Sequence, residues 1–255
     1  MHPAAGNGSQ GAGSGGRPDV GSGALVEAPP MNSQFDYEAV LFDLDGVLTA
    51  TASLHAAAWK QTFDPLLAEP FEIDRDYLAH VDGKPRDAGV RDFLAARGIH
   101  ADDAEVQRIG ERKQALVERA LSARGVEPFA GSVRWVRQLR AGGVRTAVVS
   151  SSANSRAVLR SAQIDGLFDL VVDGRDVQRL GLRGKPAPDG FLEAAARLLV
   201  RPDRAVVVED ALAGVAAGRA GGFGLVVGVA RGAAPARLRA AGADIVVRDL
   251  EELVR

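Results

Sequence analysis

The stretch YEAVLFDLDGVLTAT, residues Tyr37–Thr51, decides the fold of this chain. Its apolar run Ala39–Phe42 has the length and the β-branched and aromatic content of a buried parallel strand. Asp43 and Asp45 follow directly, and Gly46 then favours a turn. A strand that ends in two acids carries them to the edge at which open α/β sheets bind their ligands. A bare Asp-x-Asp is usually only a polar turn, but the longer string FDLDGVLT is far more specific, and we interpret it as catalytic.

The composition indicates an ordinary globular protein. The chain has 255 residues, of which 25% are charged and 46% hydrophobic, and its net charge is −2. With acids and bases interspersed, neither nucleic acid nor a membrane surface is expected as a partner. Cysteine is absent, which excludes disulfides and fits a reducing compartment. No apolar run approaches the ~20 residues that span a bilayer, and no secretory signal is recognisable. We therefore expect a cytoplasmic enzyme.

The beginning of the chain differs from the rest in composition. Residues 1–33 contain eight Gly and four Pro and almost no large apolar side chains. Such a segment cannot bury enough surface to offset the entropy lost on ordering. We predict a disordered tail over residues 1–33 and assign it no function.

The segment from Thr51 to Phe129 has helical periodicity and no convincing strand pattern. An amphipathic helix is predicted from Thr51 to about Leu67, and two more near Pro85–Arg97 and Asp102–Ala123. Glycines follow the second and third helices as plausible C-caps. Roughly eighty helical residues are thus inserted directly after the first strand.

From Gly131 onward, strands and helices alternate. Helices are predicted at Val133–Leu139, after Asn154, at Asp189–Leu199, near Leu212–Ala220 and near Ala234–Ala240. Strands are predicted at Thr146–Val149, Leu170–Val172, Ala205–Val208, Gly224–Val227 and Asp244–Val247. This alternation predicts an α/β fold with a doubly wound, Rossmann-like parallel sheet. We expect a discontinuous core domain, residues 34–50 and 131–255, and a helical cap domain, residues 51–130, above its C-terminal edge.

Each predicted core strand or following loop brings a polar group to one edge of the sheet. Strand one ends in Asp43 and Asp45, and the string TAVVSSSAN places a hydroxyl, Ser150, after the next strand. The loop RGKPAPD carries Lys185, and the string AVVVED ends in Glu209 and Asp210. Each of these has an unremarkable explanation alone, such as a helix cap, a solvated loop charge or a turn. Together they assemble acids, a hydroxyl and an ammonium group.

This set suits phosphoryl transfer through a covalent aspartyl-phosphate. Asp43 would be the nucleophile and a metal ligand, and Asp45 the general acid/base, its backbone carbonyl also facing the metal. Ser150 and Lys185 would hold the transferring oxygens and balance their charge. Three acids with no His or Cys nearby favour a hard, oxygen-seeking ion, so we expect Mg²⁺. Its site would be completed by Asp210 and Glu209.

The four motifs, in this order, resemble the haloacid dehalogenase superfamily: DLDGV, a Ser after a strand, a Lys before Pro, and ED after a strand. The resemblance covers residues 36 to about 230. With a helical cap inserted right after the first motif, the chain resembles the subgroup that includes β-phosphoglucomutase. The resemblance implies site roles in the string DLDGVLTATASLHAAAWK, in the substrate loop VDGKPRDAGV, in the phosphate-binding string SSSAN and in the segment ERKQ. The residues it implicates are Thr51, His55, Trp59, Lys60, Gly83, Lys84, Arg86, Lys113, Ser151, Ser152 and Asn154.

Two enzyme classes stay open at this point. The resemblance implies a phosphomutase that interconverts β-D-glucose 1-phosphate and glucose 6-phosphate, in which His55 holds Asp45 poised and Arg86 binds a second phosphate. The alternative is a Mg²⁺-dependent phosphatase acting on a small sugar phosphate. Asp82 and Ala153 stand where the subgroup has lysines, which could shift the substrate. A non-catalytic module is disfavoured by the intact acids and Lys185. We expect a monomer.

Overall fold

The computed structural model describes residues 37–254 together with Met1, so the expected tail 1–33 lies almost wholly outside the described residues. The core is a parallel sheet with strand order β3-β2-β1-β4-β5-β6. Its strands are β1 Ala39–Phe42, β2 Arg145–Val149, β3 Leu170–Val172, β4 Ala205–Glu209, β5 Leu225–Val229 and β6 Ile245–Val247. The predicted doubly wound α/β fold is confirmed.

The helices of the described chain fall into two groups. The segment between β1 and β2 contains α1 Ala52–Phe63, a π-helical stretch Ile73–Val81, α2 Arg86–Ala96, α3 Asp103–Arg124 and α4 Ala130–Ala141. The helices that alternate with the later strands are α5 Ser155–Ser161, α6 Gly174–Arg179, α7 Asp189–Arg197, α8 Leu212–Ala220 and α9 Pro235–Ala241. Glycines 98 and 125, which follow α2 and α3, have positive φ of 66° and 67°, as the sequence predicts for helix ends.

The central strand is buried on both faces. Every residue of β1 is buried, and the strand pairs in parallel with β2 on one side and β4 on the other. Large hydrophobic clusters cover the two faces: one contains Phe42 and Trp135, and the other contains Leu41 and Phe191. Continuous burial explains why β1 is apolar at every position rather than alternating.

The helices between β1 and α4 have a hydrophobic cluster of their own. Phe63 stacks on Trp59 with ring centroids 5.1 Å apart, and Phe71 and Phe93 complete the aromatic group. Its members lie between residues 56 and 109. Leu121, near the end of α3, packs instead against the sheet cluster that contains Phe42.

Apart from short 3₁₀ helices, two helical stretches of the described chain were not predicted from the sequence, Ile73–Val81 and α6. The six-residue α6 is stabilised by a reciprocal capping box between Asp173 and Asp176. Both carboxylates also bind Arg156. The helix is therefore specified by caps and long-range ion pairs rather than by an apolar periodicity. Within the described residues, no helix combines the length and the apolar character needed to cross a bilayer.

Candidate active site

The site lies where β1 and β4 end side by side, at the point where the strand order reverses. The backbone N–H of Asp43 donates to the Val208 carbonyl at 2.9 Å, which extends the β1–β4 pairing by one residue. Gly46 has a φ of +88°, and a Cβ at this position would lie 1.9 Å from Asp210 Oδ2. Only glycine therefore allows the loop after β1 to approach the loop after β4 this closely.

Lys185 is buried between two of the predicted acids. Its ammonium donates to Asp43 Oδ1 and Glu209 Oε1, each at 2.5 Å, and to the Val149 carbonyl at 3.1 Å. All three of its N–H groups are therefore used. Burial alone would lower the pKa of Lys185, but the carboxylates of Asp43 and Glu209 raise it above its usual value. The ammonium stays charged beside the expected nucleophile.

Three acids form a group that could hold a cation. Asp43, Glu209 and Asp210 each place one carboxylate oxygen within 4.8 Å of the others, and all three are buried. Burial raises the pKa of Asp210, and the nearby carboxylates of Asp82 and Glu209 raise it further. Lys185 alone does not balance this negative charge. An all-oxygen donor set with excess negative charge fits Mg²⁺.

The carboxylate of Asp45 lies outside that group of three and is held from the start of the helical segment. The hydroxyl of Thr51 donates a short hydrogen bond to Asp45 Oδ1. The hydroxyl of Thr49 is 2.8 Å from that of Thr51. His55 Nε2 lies 3.4 Å from Asp45 Oδ1. A metal contact from the backbone of Asp45 stays a prediction.

Lys113 fixes the orientation of the His55 ring. Its ammonium lies 2.9 Å from His55 Nδ1, and burial, reinforced by the charge of Lys113, lowers the pKa of His55 well below its usual value. Because an ammonium can only donate, Nδ1 is the accepting nitrogen and the ring proton resides on Nε2, facing Asp45. A line of polar groups thus runs from α3 through α1 to the expected acid/base.

The loop after β2 contacts the helical segment through two of its predicted site residues. The Ser151 hydroxyl donates to the Gly83 carbonyl at 2.8 Å, and Asn154 Oδ1 accepts from Gln114 Nε2 at 2.7 Å. Ser150 Oγ accepts from the backbone N–H of Ser152 at 3.1 Å. Two of the groups expected to bind phosphate are therefore engaged with the helical segment.

The expected substrate loop faces the core, with its cations paired inside the helical segment. Lys84 makes a short ion pair with Asp92, and Arg86 Nε donates to Asp87 Oδ1 at 2.8 Å. Gly110 leaves room for Arg86, since a Cβ there would lie 2.6 Å from Nε. The nearby cation Lys60 is 3.3 Å from Asp64, in the aromatic region rather than in the site.

These groups surround a cavity of about 310 Å³ between the sheet edge and the helical segment. Most predicted site residues line it: Asp43, Asp45, His55, Trp59, Gly83, Lys84, Arg86, Lys113, Ser150, Ser151, Ser152 and Asp210. Thr51, Asn154, Lys185 and Glu209 lie behind this lining and contact it. Lining residues that sequence reasoning did not assign include Tyr77, Asp87, Gln114 and Gln178. Gln114, adjacent to Lys113, and Asp87, adjacent to Arg86, carried a signal that could have revealed them.

The fold and the site together define a haloacid dehalogenase-type phosphotransferase. The sequence pattern of the haloacid dehalogenase-like hydrolases matches residues 37–222, and the chain belongs to that family. This match agrees with the resemblance found in the sequence. The chain is an enzyme of the phosphotransferase type within the β-phosphoglucomutase-like subgroup.

Particular relatives fit that subgroup. The chain is 48% identical over 238 residues to a β-phosphoglucomutase of Mycobacterium tuberculosis, covering 85% of this chain and 91% of the relative. It is 34% identical over 221 residues to the β-phosphoglucomutase of Bacillus subtilis, with the same two shares. Among solved structures, a hydrolase from Pseudomonas syringae is similar with a TM-score of 0.75 and 26% identity, covering 85% of this chain and 95% of the other.

Proposed function

We propose that this enzyme is a phosphomutase that interconverts β-D-glucose 1-phosphate and glucose 6-phosphate through an aspartyl-phosphate and a sugar bisphosphate. The observation that carries the proposal is the hydrogen bond that attaches Asp45 to Thr51 of the helical segment, with His55 Nε2 3.4 Å away, next to a nucleophile paired with Lys185. An acid/base held by the cap is available only when the cap is closed. Such coupling favours transfer to a bound sugar over transfer to water.

The first half-reaction forms a bond between Asp43 and phosphorus. An Asp43 carboxylate oxygen attacks one phosphoryl group of the bound sugar bisphosphate, the bond from that phosphorus to the sugar oxygen breaks, and a sugar monophosphate is left. Asp45 donates its proton to that leaving oxygen. Lys185 and Ser150 hold the transferring oxygens in place. Asp43, Glu209 and Asp210 would hold a magnesium ion, whose positive charge would reduce the repulsion between carboxylate and phosphate.

The second half-reaction reverses these roles. Asp45 removes the proton from a hydroxyl of a bound sugar monophosphate, whose oxygen attacks the phosphorus on Asp43. The bond from phosphorus to Asp43 breaks, which releases the carboxylate and forms the sugar bisphosphate. Binding the bisphosphate requires a second phosphate contact at a distance from Asp43. Arg86 supplies a planar fork for it once Asp87 yields the guanidinium. Ser152 and Asn154 contribute from the core side.

The same proposal assigns the domains. Residues 51–130 act as the cap domain, and residues 34–50 and 131–255 form the core domain. A separate aromatic cluster in the helical segment supports this division. The proposal also includes three predictions from the sequence: a monomeric state, a cytoplasmic location and a sugar-phosphate substrate.

A sugar-phosphate phosphatase is the second candidate, and one observation favours it. Asp82 places a negative charge in the cavity lining, at a position where a bisphosphate would gain from a cation. A carboxylate here disfavours an intermediate with two phosphates. A monophosphate whose only phosphate lies at Asp43 would be affected less.

A product assay separates the two candidates. The enzyme is incubated with β-D-glucose 1-phosphate, Mg²⁺ and a trace of β-D-glucose 1,6-bisphosphate, and both glucose 6-phosphate and inorganic phosphate are measured. Glucose 6-phosphate accumulating in excess supports the mutase. Inorganic phosphate in its place would reject it and leave the phosphatase. The Asp43→Asn variant controls for contaminating enzymes, since it should yield neither product.

A further inference from the structure

Asp82 is an acid in the cavity that the proposed reaction does not use. It lies directly after the π-helical stretch Ile73–Val81 and lines the cavity together with Asp43 and Asp45. Burial raises the pKa of Asp82 to about 6, and the charges of Asp43 and Asp45 act in the same direction. A carboxylate in this position is energetically unfavourable unless a ligand uses it.

Asp82 has no cationic partner in the described part of the chain. The two cations of its own loop are engaged elsewhere, Lys84 with Asp92 and Arg86 with Asp87. The phenol of buried Tyr77 is its side-chain hydrogen-bond donor. A carboxylate offers about four acceptor sites, so most of its accepting capacity remains for a molecule in the cavity.

The backbone around Asp82 is fixed against the core. The next residue, Gly83, accepts a 2.8 Å hydrogen bond from the Ser151 hydroxyl. Gly83 has a φ of +70°, and a Cβ there would lie 2.7 Å from Ala211 Cβ. Contacts with the loops after β2 and β4 therefore set the position of Asp82 relative to Asp43, as a selective contact requires.

The chemistry of this carboxylate limits what it can bind. It repels a phosphate group, so it does not bind the phosphoryl end of a substrate. Asp82 is also absent from the three-acid group that suits a cation, Asp43, Glu209 and Asp210. Hydroxyl groups are donors that match its free acceptor sites, and a sugar presents several on adjacent carbons.

We propose that Asp82 is a specificity-determining residue that accepts hydrogen bonds from ring hydroxyls of the phosphorylated sugar and excludes anionic substituents from that side of the cavity. The inference rests on the proposed function, since it assumes that a sugar phosphate is the substrate. It names the part of the substrate that this loop recognises. Sugars lacking the contacted hydroxyl are poor substrates for the enzyme.

The test compares kcat/KM for β-D-glucose 1-phosphate with that for its 2-, 3- and 4-deoxy analogues. The wild-type enzyme should prefer the parent sugar over at least one analogue by about 10- to 100-fold, the effect of losing one hydrogen bond to a charged group. Asp82→Ala should lower kcat/KM for the parent sugar by a similar factor. The ratio of kcat/KM between the parent and that analogue should then be close to one. Asp82→Asn keeps one carbonyl acceptor and should retain part of the preference.

Two controls separate this role from general damage. Asp74→Ala makes the same chemical change at an exposed position of the helical stretch that precedes Asp82 and should leave the preference unchanged. Phosphorylation of Asp43 by acetyl phosphate, followed by intact mass, has no sugar contact and should proceed in Asp82→Ala at least as fast as in wild type, because the substitution removes a charge that repels phosphate. A damaged fold would slow both reactions.

The outcomes distinguish the two levels of the argument. Turnover of β-D-glucose 1-phosphate with an unchanged preference in Asp82→Ala would overturn the role of Asp82 and leave the proposed function standing. The absence of any preference in the wild type would do the same. A wild-type enzyme that reacts with acetyl phosphate but with none of the sugar phosphates would overturn the proposed function, and this inference with it.

Discussion

Replacing Lys185 by methionine tests the electrostatic balance of the site. The ammonium is 6% exposed and holds Asp43 and Glu209 at 2.5 Å each, together with the Val149 carbonyl at 3.1 Å. Methionine has a similar length and fills most of the same volume. The substitution therefore removes the positive charge and three hydrogen bonds while creating little empty space.

The magnitude of the effect follows from what remains behind. Removing one partner of a buried ion pair costs about 3–5 kcal/mol, because the other charge stays buried without compensation. Here two carboxylates lose the same partner, so we expect the upper part of that range at pH 8. The loss should be smaller at pH 5, where the unpaired carboxyls can take up protons. Activity should fall about 100- to 1,000-fold, as when one donor to a transferring oxygen is removed.

Denaturant unfolding of wild type and Lys185→Met in chelator-treated buffer measures the change in free energy. Arg183→Met is a matched control in the same loop: its side chain is 76% exposed and paired with Asp189, so its effect should stay below about 1 kcal/mol. The reasoning fails if the Lys185 variant unfolds within about 1 kcal/mol of wild type at pH 8. It also fails if the variant keeps full activity.

Three further perturbations test other parts of the site. Gly214→Ala places a Cβ 1.7 Å from Glu209 Oε1 and should destabilise by about 1–3 kcal/mol in thermal unfolding, whereas Gly166→Ala, with open space around it, should be nearly neutral. Burial lowers the pKa of Lys113 to about 8. Above this pH the folded protein has released a proton that the unfolded chain keeps up to about pH 10.5, so the free energy of unfolding should rise by roughly 3 kcal/mol between these pH values. A Lys113→Met variant with the same rise would contradict this assignment. Adding Mg²⁺ to chelated enzyme should restore turnover and raise the unfolding midpoint, because the ion binds only the folded acid group; an unchanged midpoint would count against a metal site.

The sheet could be predicted well because its strands are short apolar runs bounded by turn residues. Each predicted core strand lies within two residues of its observed bounds, and β1 and β3 match fully. The stretch Ile73–Val81 could not be recognised in this way. Its buried Asp76 is neutralised by Arg75 next to it and by Arg97, which lies 21 residues further along the chain. A pattern within the stretch does not reveal that partner.

The acids and the lysine of the site could be predicted because parallel strands bring their carboxyl ends to one edge. The side-chain partners that the residues expected to bind phosphate have in this structure could not be predicted from the sequence. Whether Lys84 is free or paired depends on Asp92, and whether Asn154 is free depends on Gln114, 40 residues away in sequence. These pairings follow from how the helical segment packs on the core, which periodicity and motif spacing do not specify.

The hydrogen bonds from Ser151 to Gly83 and from Gln114 to Asn154 have a consequence for ligand entry. Ser151 and Asn154, which form these bonds to the helical segment, are also expected to contact a phosphate. An arriving anion must therefore compete with the Gly83 carbonyl for the hydrogen bond that the Ser151 hydroxyl donates. The affinity for the anion then reflects the difference in free energy between the hydrogen bonds it forms and those it replaces. We therefore do not expect a small anion alone to bind tightly.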